Sequence, residues 1–309
     1  MNLKELSNRK ARFTGGHTLC PGCGEGIIVR AVLQAINQQV VVGCATSCLE
    51  VSTSKFPQTS WKCSFIHNAF ENVSATMSGV ETAYRVLKRK NKIKDDIKFV
   101  AFAGDGGLCD IGLQSFSGAL ERGHNVLFIC LDNEAYQNTG IQRSSATPYG
   151  AWTSTTQIGE KHKGKEQFKK DIVKIAVAHE IPYVAQASPS NYLDLVKKVS
   201  TAVSINGPSF INILSPCVPG WRYLQMESIH VCRRAVDSCF WPLYEVFVEN
   251  GVEKWKLNYD PKDKKEPVIN FLRMQGRFKH LWNDNKDIVD KIQANIDRKW
   301  EELKKRCSV

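Results

Sequence analysis

The side chains able to do chemistry in this sequence fall into two sets: oxygen donors beside glycines, and cysteines beside prolines and glycines. The oxygen set begins at Gly104-Asp105-Gly106-Gly107, where side chains are absent or short, and resumes at Asp132-Asn133. Such donors, with the backbone free to approach, suit Mg²⁺ bound to a diphosphate, because Mg²⁺ prefers hard oxygens and keeps phosphate ligands. The cysteine set is Cys20-Pro21-Gly22-Cys23, then Cys44 and Cys48, then Cys217 between Pro216 and Pro219. A C-x-x-C pair in a Pro/Gly turn can place both sulfurs on one metal ion or iron-sulfur cluster, and the same spacing serves thiol redox pairs. Against a redox pair, the motif does not end an apolar strand and more cysteines follow. Cys44 and Cys48 are both ligand candidates at this stage, with Cys217 the natural distant fourth.

The elements around these residues must bring them to one place. Residues 97–103 read as a buried strand that delivers the Gly-Asp-Gly-Gly turn, Ile111 to Arg122 as a helix, and Val126 to Leu131 as a second strand that delivers Asp132-Asn133. Two parallel strands joined by a helix put both strand ends on one edge, so Asp105 and Asn133 should face one crevice. Earlier, Ile27 to Gln38 reads as a helix, Val40 to Val42 as a short strand, and Ala69 to Arg89 as a helix with Val73, Met77 and Val80 on one face; His67 and Glu71 are candidates to line a site. Later, a polar loop over 143–165 is long enough to be a cover over the crevice or a partner contact. It is followed by a helix from Glu166 to His179, a strand from Tyr183 to Gln186, a helix from Asn191 to Val203 and a strand from Phe210 to Leu214. This alternation argues for an α/β fold, a mostly parallel sheet with helices on both faces and ligands at the carboxyl edge. Beyond Trp221 the pattern changes to a hairpin turning at Asn250-Gly251 and a helix with Ile288, Ile292, Ile296, Trp300 and Leu303 in one stripe. The expected organisation is an α/β domain over 1–221 with a C-terminal extension over 222–309, packed on that domain or on a partner subunit.

Composition narrows the class. With 309 residues, 42% hydrophobic and 24% charged, the chain can bury a full core. Its net charge of +11 is spread among acids without a basic stripe carrying aromatics, so nucleic acid is not the expected partner, although attraction to an acidic protein is open. The start, MNLKELSNRKARFTGG, has no apolar leader segment, and no stretch approaches the roughly 18 apolar residues of a membrane span. No membrane association and a cytoplasmic location are expected, and 11 cysteines there point to thiols or metal ligands rather than disulfides.

The Asp-to-Asn spacing resembles the motif of thiamine diphosphate enzymes. More closely, the segments HTLCPGCGEG, ATSCLEVST, IHNAFEN, AGDGGLCDIGLQSFSGALERGHN, DNEAYQNTGIQRSSATPYGA, SPCVPGW and LRMQGRFKHL resemble the β subunit of 2-oxoacid:ferredoxin oxidoreductases, over about Gly16 to Leu281. That resemblance implies a thiamine diphosphate-binding fold, thiamine diphosphate with Mg²⁺, and a [4Fe-4S] cluster on Cys20, Cys23, Cys48 and Cys217, with Cys44 a neighbour only. It implies Asp105, Asn133 and the Ala135 carbonyl as Mg²⁺ ligands, and Gly104, Gly106 and Gly107 lining the diphosphate. Asn138 would meet the substrate, and Glu50 and Phe70 would wall the cofactor pocket.

The resemblance further implies oxidative decarboxylation of a small 2-oxoacid, with electrons passed through the cluster to ferredoxin. The glutamate that activates the cofactor's pyrimidine would come from an α subunit, so the chain is expected to be inactive alone; γ and ferredoxin-like δ subunits complete the expected assembly. Pyruvate with coenzyme A is the leading substrate pair, with oxalate (no coenzyme A) and branched-chain or other 2-oxoacids as alternatives. Two readings of other kinds stand beside it. A thiamine-dependent decarboxylase without iron would leave the cysteines unused, and a zinc-stabilised, non-catalytic module would leave the oxygen set unused.

Overall fold

The computed structural model describes residues 3–308, so Met1, Asn2 and Val309, which begin and end the two ranges drawn above, lie outside the described residues. Eight strands form one sheet: β1 (Gln39–Ala45), β2 (Ser64–Asn68), β3 (Ile97–Gly104), β4 (Leu127–Asp132), β5 (Tyr183–Ala187), β6 (Ser209–Leu214), β7 (Tyr244–Glu249) and β8 (Val252–Leu257), in the order β2-β1-β3-β4-β6-β5-β7-β8. The first six are parallel, and the hairpin β7-β8 is added antiparallel along β5. The helices are α1 (Leu3–Ser7), α2 (Gly24–Ala35), α3 (Cys48–Thr53), α4 (Val73–Arg89), α5 (Leu113–Glu121), α6 (Ile172–Val177), α7 (Tyr192–Ser204), α8 (Val218–Trp221), α9 (Ser228–Asp237), α10 (Val268–Leu272) and α11 (Lys286–Cys307).

The apolar strands are buried on both faces because alternate side chains feed two cores. Phe99, Ala101 and Ala103 of β3 and Phe128 and Cys130 of β4 join a core with α4, α5, α9 and α11, while Val100, Phe102, Leu127, Ile129 and Leu131 join a second core with α2 and α7. The fold is therefore α/β, a mainly parallel sheet with helices on both faces and a C-terminal hairpin and helix. Asn250 (φ 53°) and Gly251 (φ 74°) form the hairpin turn, the left-handed pair that matches strand twist.

Several elements differ from their sequence expectation. Ser64–Asn68 is an edge strand within a segment that reads as aromatic-rich turn, and helix α4 starts at Val73 rather than Ala69. The chain after Asp105 is not a plain turn: it enters at once a π-helical segment, Gly106–Ile111, which runs on into α5. Only Ile172–Val177 of the expected helix from Glu166 to His179 forms, because Lys169 and Lys170 reach into buried acceptors and Asp171 caps the helix through the Lys174 N–H. The α11 stripe of Ile288, Ile292, Ile296, Trp300 and Leu303 is buried in its own chain's core, so it is not available to a partner subunit. Among the described residues, no helix is long and apolar enough to cross a membrane.

Six parallel strands put their carboxyl ends on one edge of the sheet. Phe70 follows β2, Cys48 and Glu50 follow β1, Asp105 follows β3, Asn133 follows β4 and Cys217 follows β6. These five strands are consecutive neighbours in the sheet, so the oxygen set and the cysteine set open onto the same edge.

Candidate functional site

Asp105 is 1% exposed, and Ser144 Oγ donates to its Oδ2 at 2.5 Å. Burial first, and then the nearby Asp132 carboxylate, push the Asp105 carboxyl well above the usual range, and the Ser144 bond only opposes this. A carboxylate so placed needs a cation to stay ionised. The Asn133 carboxamide supplies the geometry for one. With Nδ2 turned to Glu25 Oε1 at 3.4 Å, its Oδ1 faces Asp105 Oδ1 at 3.0 Å and the Ala135 carbonyl oxygen at 2.8 Å. In that orientation three oxygens converge, an arrangement relieved by a metal ion between them or by reversing the amide so that its NH₂ donates to both. Asp105, Asn133 and Ala135 are thus brought together, and their donor set fits Mg²⁺.

The turn that makes this possible is held under strain. Glu134 has φ 67°, a left-handed conformation costly for a residue with a Cβ, and it swings the Ala135 carbonyl back toward the Asn133 side chain. Its fully buried carboxylate pairs with Lys169 at 2.8 Å and with Arg277 at 2.5 Å, its N–H donates to Asp132 Oδ1, and its carbonyl accepts from Thr147 Oγ1 at 2.6 Å. Burial raises the Glu134 pKa, but the two cations outweigh it and hold it low. The Asn133 carbonyl accepts from Trp221 Nε1 and Gln137 Nε2, each at 2.8 Å.

The glycines do different jobs. A Cβ on Gly104 would meet only Ser47 Cβ, at 3.9 Å, leaving room beside the strand end for a ligand. A Cβ on Gly106 would lie 2.3 Å from the Tyr136 ring, and one on Gly107 would lie 3.2 Å from the Phe70 carbonyl, so protein occupies those spaces. Gly106 and Gly107 instead begin a helical segment whose first N–H groups have no intrahelical acceptor, a ready seat for phosphate oxygens. Phe70 packs on Tyr136 with ring centroids 5.7 Å apart, Glu50 is buried 3.4 Å from His67, and Glu71 and Asn138 are exposed on the same edge.

The cysteine loops dock against one another. Cys23 N–H donates to the Cys20 carbonyl at 2.9 Å, closing the Pro-Gly turn, and Gly24 N–H donates to the Pro216 carbonyl at 3.1 Å. A Cβ on Gly24 would lie 2.3 Å from Pro216 Cδ, and Ser228 Oγ donates to the Gly22 carbonyl at 2.5 Å. Cys20, Cys23 and Cys217 all lie near enough to Cys48 to interact with it electrostatically. Burial raises the thiol pKa of Cys217 to about 12 and those of Cys23 and Cys48 further, with Glu25 adding to each rise. Cys44 is fully buried in β1, its Sγ turned to the Ala45 carbonyl. Among the described residues, no three His, Cys, Asp or Glu side chains converge on a single ion.

Reading the sequence missed Glu25, Glu134, Ser144, Lys169, Trp221 and Arg277 as parts of this site. Glu25 is 2% exposed with Oε2 unpartnered, and burial raises its pKa to about 7 against the Asn133 bond. Its only signal was its place in CPGCGEG, as Arg277's was in LRMQGRFKHL.

The family model "Thiamine pyrophosphate enzyme, C-terminal TPP binding domain" matches residues 41–213, the segment from β1 to β6 that carries Asp105 and Asn133. The chain is 50% identical to the pyruvate synthase subunit PorB of Thermotoga maritima, over 98% of this chain and 95% of that one. It is 42% identical to the ketoisovalerate oxidoreductase subunit VorB of Pyrococcus furiosus, over 96% of this chain and 94% of that one. In solved structures, the fold matches a chain of the 2-oxoglutarate:ferredoxin oxidoreductase of Magnetococcus marinus, with a TM-score of 0.58 at 19% identity over 74% of this chain and 81% of that one. The protein belongs to the 2-oxoacid:ferredoxin oxidoreductases, as a β subunit built on the thiamine diphosphate-binding domain.

Proposed function

We propose that this chain holds thiamine diphosphate through Mg²⁺ on Asp105, Asn133 and the Ala135 carbonyl, and a [4Fe-4S] cluster on Cys20, Cys23, Cys48 and Cys217. Its reaction is the oxidative decarboxylation of a small 2-oxoacid, pyruvate with coenzyme A, with ferredoxin as electron acceptor. One observation carries the reading: the loop that bears Cys217 is bonded to the turn that bears Asn133, through Trp221 Nε1 and the Asn133 carbonyl. The oxygen set and the cysteine set thus share a wall.

When bound, the cofactor supplies the carbon nucleophile for the 2-carbonyl, and the cluster accepts electrons singly. The chain's own residues do the rest. Ser144 orients the Asp105 carboxylate, Glu134 and its two cations fix the Ala135 carbonyl, and Gly104 leaves the diphosphate its space. Asn138, exposed beyond the turn, meets the substrate, and Glu50 and Phe70 wall the pocket. Buried thiols with such raised pKa values stay protonated unless a positive centre stabilises the thiolates, as bound iron would, with the protons released to solvent.

The pyrimidine-side glutamate comes from an α subunit, and γ and ferredoxin-like δ subunits complete a cytoplasmic assembly. Pyruvate synthase and ketoisovalerate oxidoreductase subunits overlap in identity to this chain, at 40–50% and 42–43%, so the substrate assay rather than identity separates pyruvate from branched-chain 2-oxoacids. Anaerobic purification of the complex, with iron and sulfide analysis and electron paramagnetic resonance, tests the cluster. Wild type should contain its signal, and Cys217→Ala should lose the signal from this subunit while still binding thiamine diphosphate. An unchanged cluster spectrum in that variant would overturn the ligand set.

A further inference from the structure

A second space, partly open to solvent, lies away from the carboxyl-edge crevice. It is a cavity of about 150 Å³ between the sheet face of β6, β5 and β7 and the inner face of α11, with α6 at one side. Its walls are mainly aromatic and aliphatic, including Phe168, Trp241, Tyr244, Trp300 and Ile296. A dry apolar cavity of about this volume takes a single benzene-sized ring.

Charged groups on the wall, Asp132, Asp171, Glu302 and five cations, are mostly paired, and among the described residues two polar groups lack partners. Lys299 lines the cavity from α11, and among the described residues its ammonium has no ion pair or hydrogen bond. Asp171 acts on it only at a distance, and burial together with Lys174, Lys169 and Arg298 disfavours its charge. The other cations on the wall are occupied: Lys169 by Asp132 and Glu134, Lys170 by Asp110, Lys174 by Asp171 and Glu302, and Arg306 by Glu253. The second unpartnered group is Asn212 Oδ1, buried on β6 while its Nδ2 donates to Asp132 at 3.4 Å. A half-buried, unpaired ammonium on the wall of a largely apolar cavity suits an anion with an apolar body.

We propose that this cavity is a binding site for an apolar monocarboxylate, its carboxylate on the Lys299 ammonium and its body among Trp241, Trp300 and Tyr244. The site is separate from the cofactor crevice but backs onto it. Asp132, on the cavity wall, is joined through Lys169 to Glu134, and those two acids flank Asn133. A carboxylate held there thus sits one ion-pair network away from the metal-side turn.

Benzoate is the probe, because its ring matches the cavity and its charge matches Lys299; benzamide is its neutral counterpart. Titration calorimetry and tryptophan emission of the full chain should show saturable benzoate binding, at least tenfold tighter than benzamide. Lys299→Met should abolish that preference while leaving benzamide binding unchanged, and saturating thiamine diphosphate with Mg²⁺ should not displace benzoate. Equal affinity for the two probes in wild type, no saturable binding, or displacement by thiamine diphosphate would each overturn the proposal. The wild-type comparison stands even if the variant fails to fold.

Discussion

Ser144 donates to a carboxylate that has almost no exposure to water, so its hydroxyl matters more than a surface serine's would. A hydrogen bond to a charged, buried group is worth about 1.5–3 kcal/mol. Ser144→Ala should therefore weaken Mg²⁺-dependent thiamine diphosphate binding by roughly tenfold or more, since about 1.4 kcal/mol is a factor of ten. Fluorescence titration of the complex reads this directly, with the iron content as the control that should stay constant; unchanged cofactor affinity would refute the role. At this scale the sequence placed Asp105 and Asn133 at neighbouring strand ends, because local patterns reveal those ends, whereas Ala135 entered only through the family resemblance. Glu25, Arg277 and Lys169 were not, because each acts on residues far away in the chain: Arg277 on Glu134, Lys169 on Asp132 and Glu134, Glu25 on Asn133.

At the scale of elements, the hairpin β7-β8 shows how a C-terminal appendage becomes part of the sheet. Glu245 of β7 accepts from Tyr183 Oη at 2.8 Å across to β5, and from Lys256 Nζ at 2.9 Å and Asn258 Nδ2 at 2.7 Å on its own hairpin. Burial alone would raise its pKa, but these bonds outweigh burial and hold it below the ordinary value. The unfolded chain, where a glutamate titrates near ~4.3, then binds more protons in the acid range, so the stabilisation is present above that pH and is lost as pH falls through the folded value. Urea midpoints measured from pH 7 down to about pH 3 should fall less steeply for Glu245→Gln than for wild type, and parallel slopes would count against the link. The hairpin was legible because Asn-Gly between alternating apolar residues has one favoured turn. The segment 166–171 was not, because its helical pattern is overridden by lysines drawn to buried acceptors.

For the whole molecule, several large apolar side chains remain in water. Among the described residues, Phe56 is 96% exposed, Met226 78%, Leu224 69% and Ile111 55%, and Asn138 is open to solvent. The chain's relatives are subunits of larger oxidoreductases, and apolar side chains this exposed fit contacts with partner subunits. Expressed alone, the chain should not reduce viologen with a 2-oxoacid and added thiamine diphosphate, while the reconstituted complex should turn over. Full turnover by the isolated chain would sink the shared-site reading. The same assay with and without coenzyme A separates pyruvate from oxalate chemistry, because oxalate needs no acyl acceptor.

The sequence by itself determined the fold class, the strand ends that present Asp105 and Asn133, and the family, since strand periodicity, glycine placement and short motifs are local properties. Only the tertiary structure decided that Gly106 faces Tyr136, that Glu134 adopts a left-handed backbone pinned by Lys169 and Arg277, and that the α11 stripe is buried in its own core. It also decided that the Cys217 loop is bonded to the Asn133 turn. These depend on which distant groups fill the space and neutralise the charge around a residue, and no local pattern encodes that.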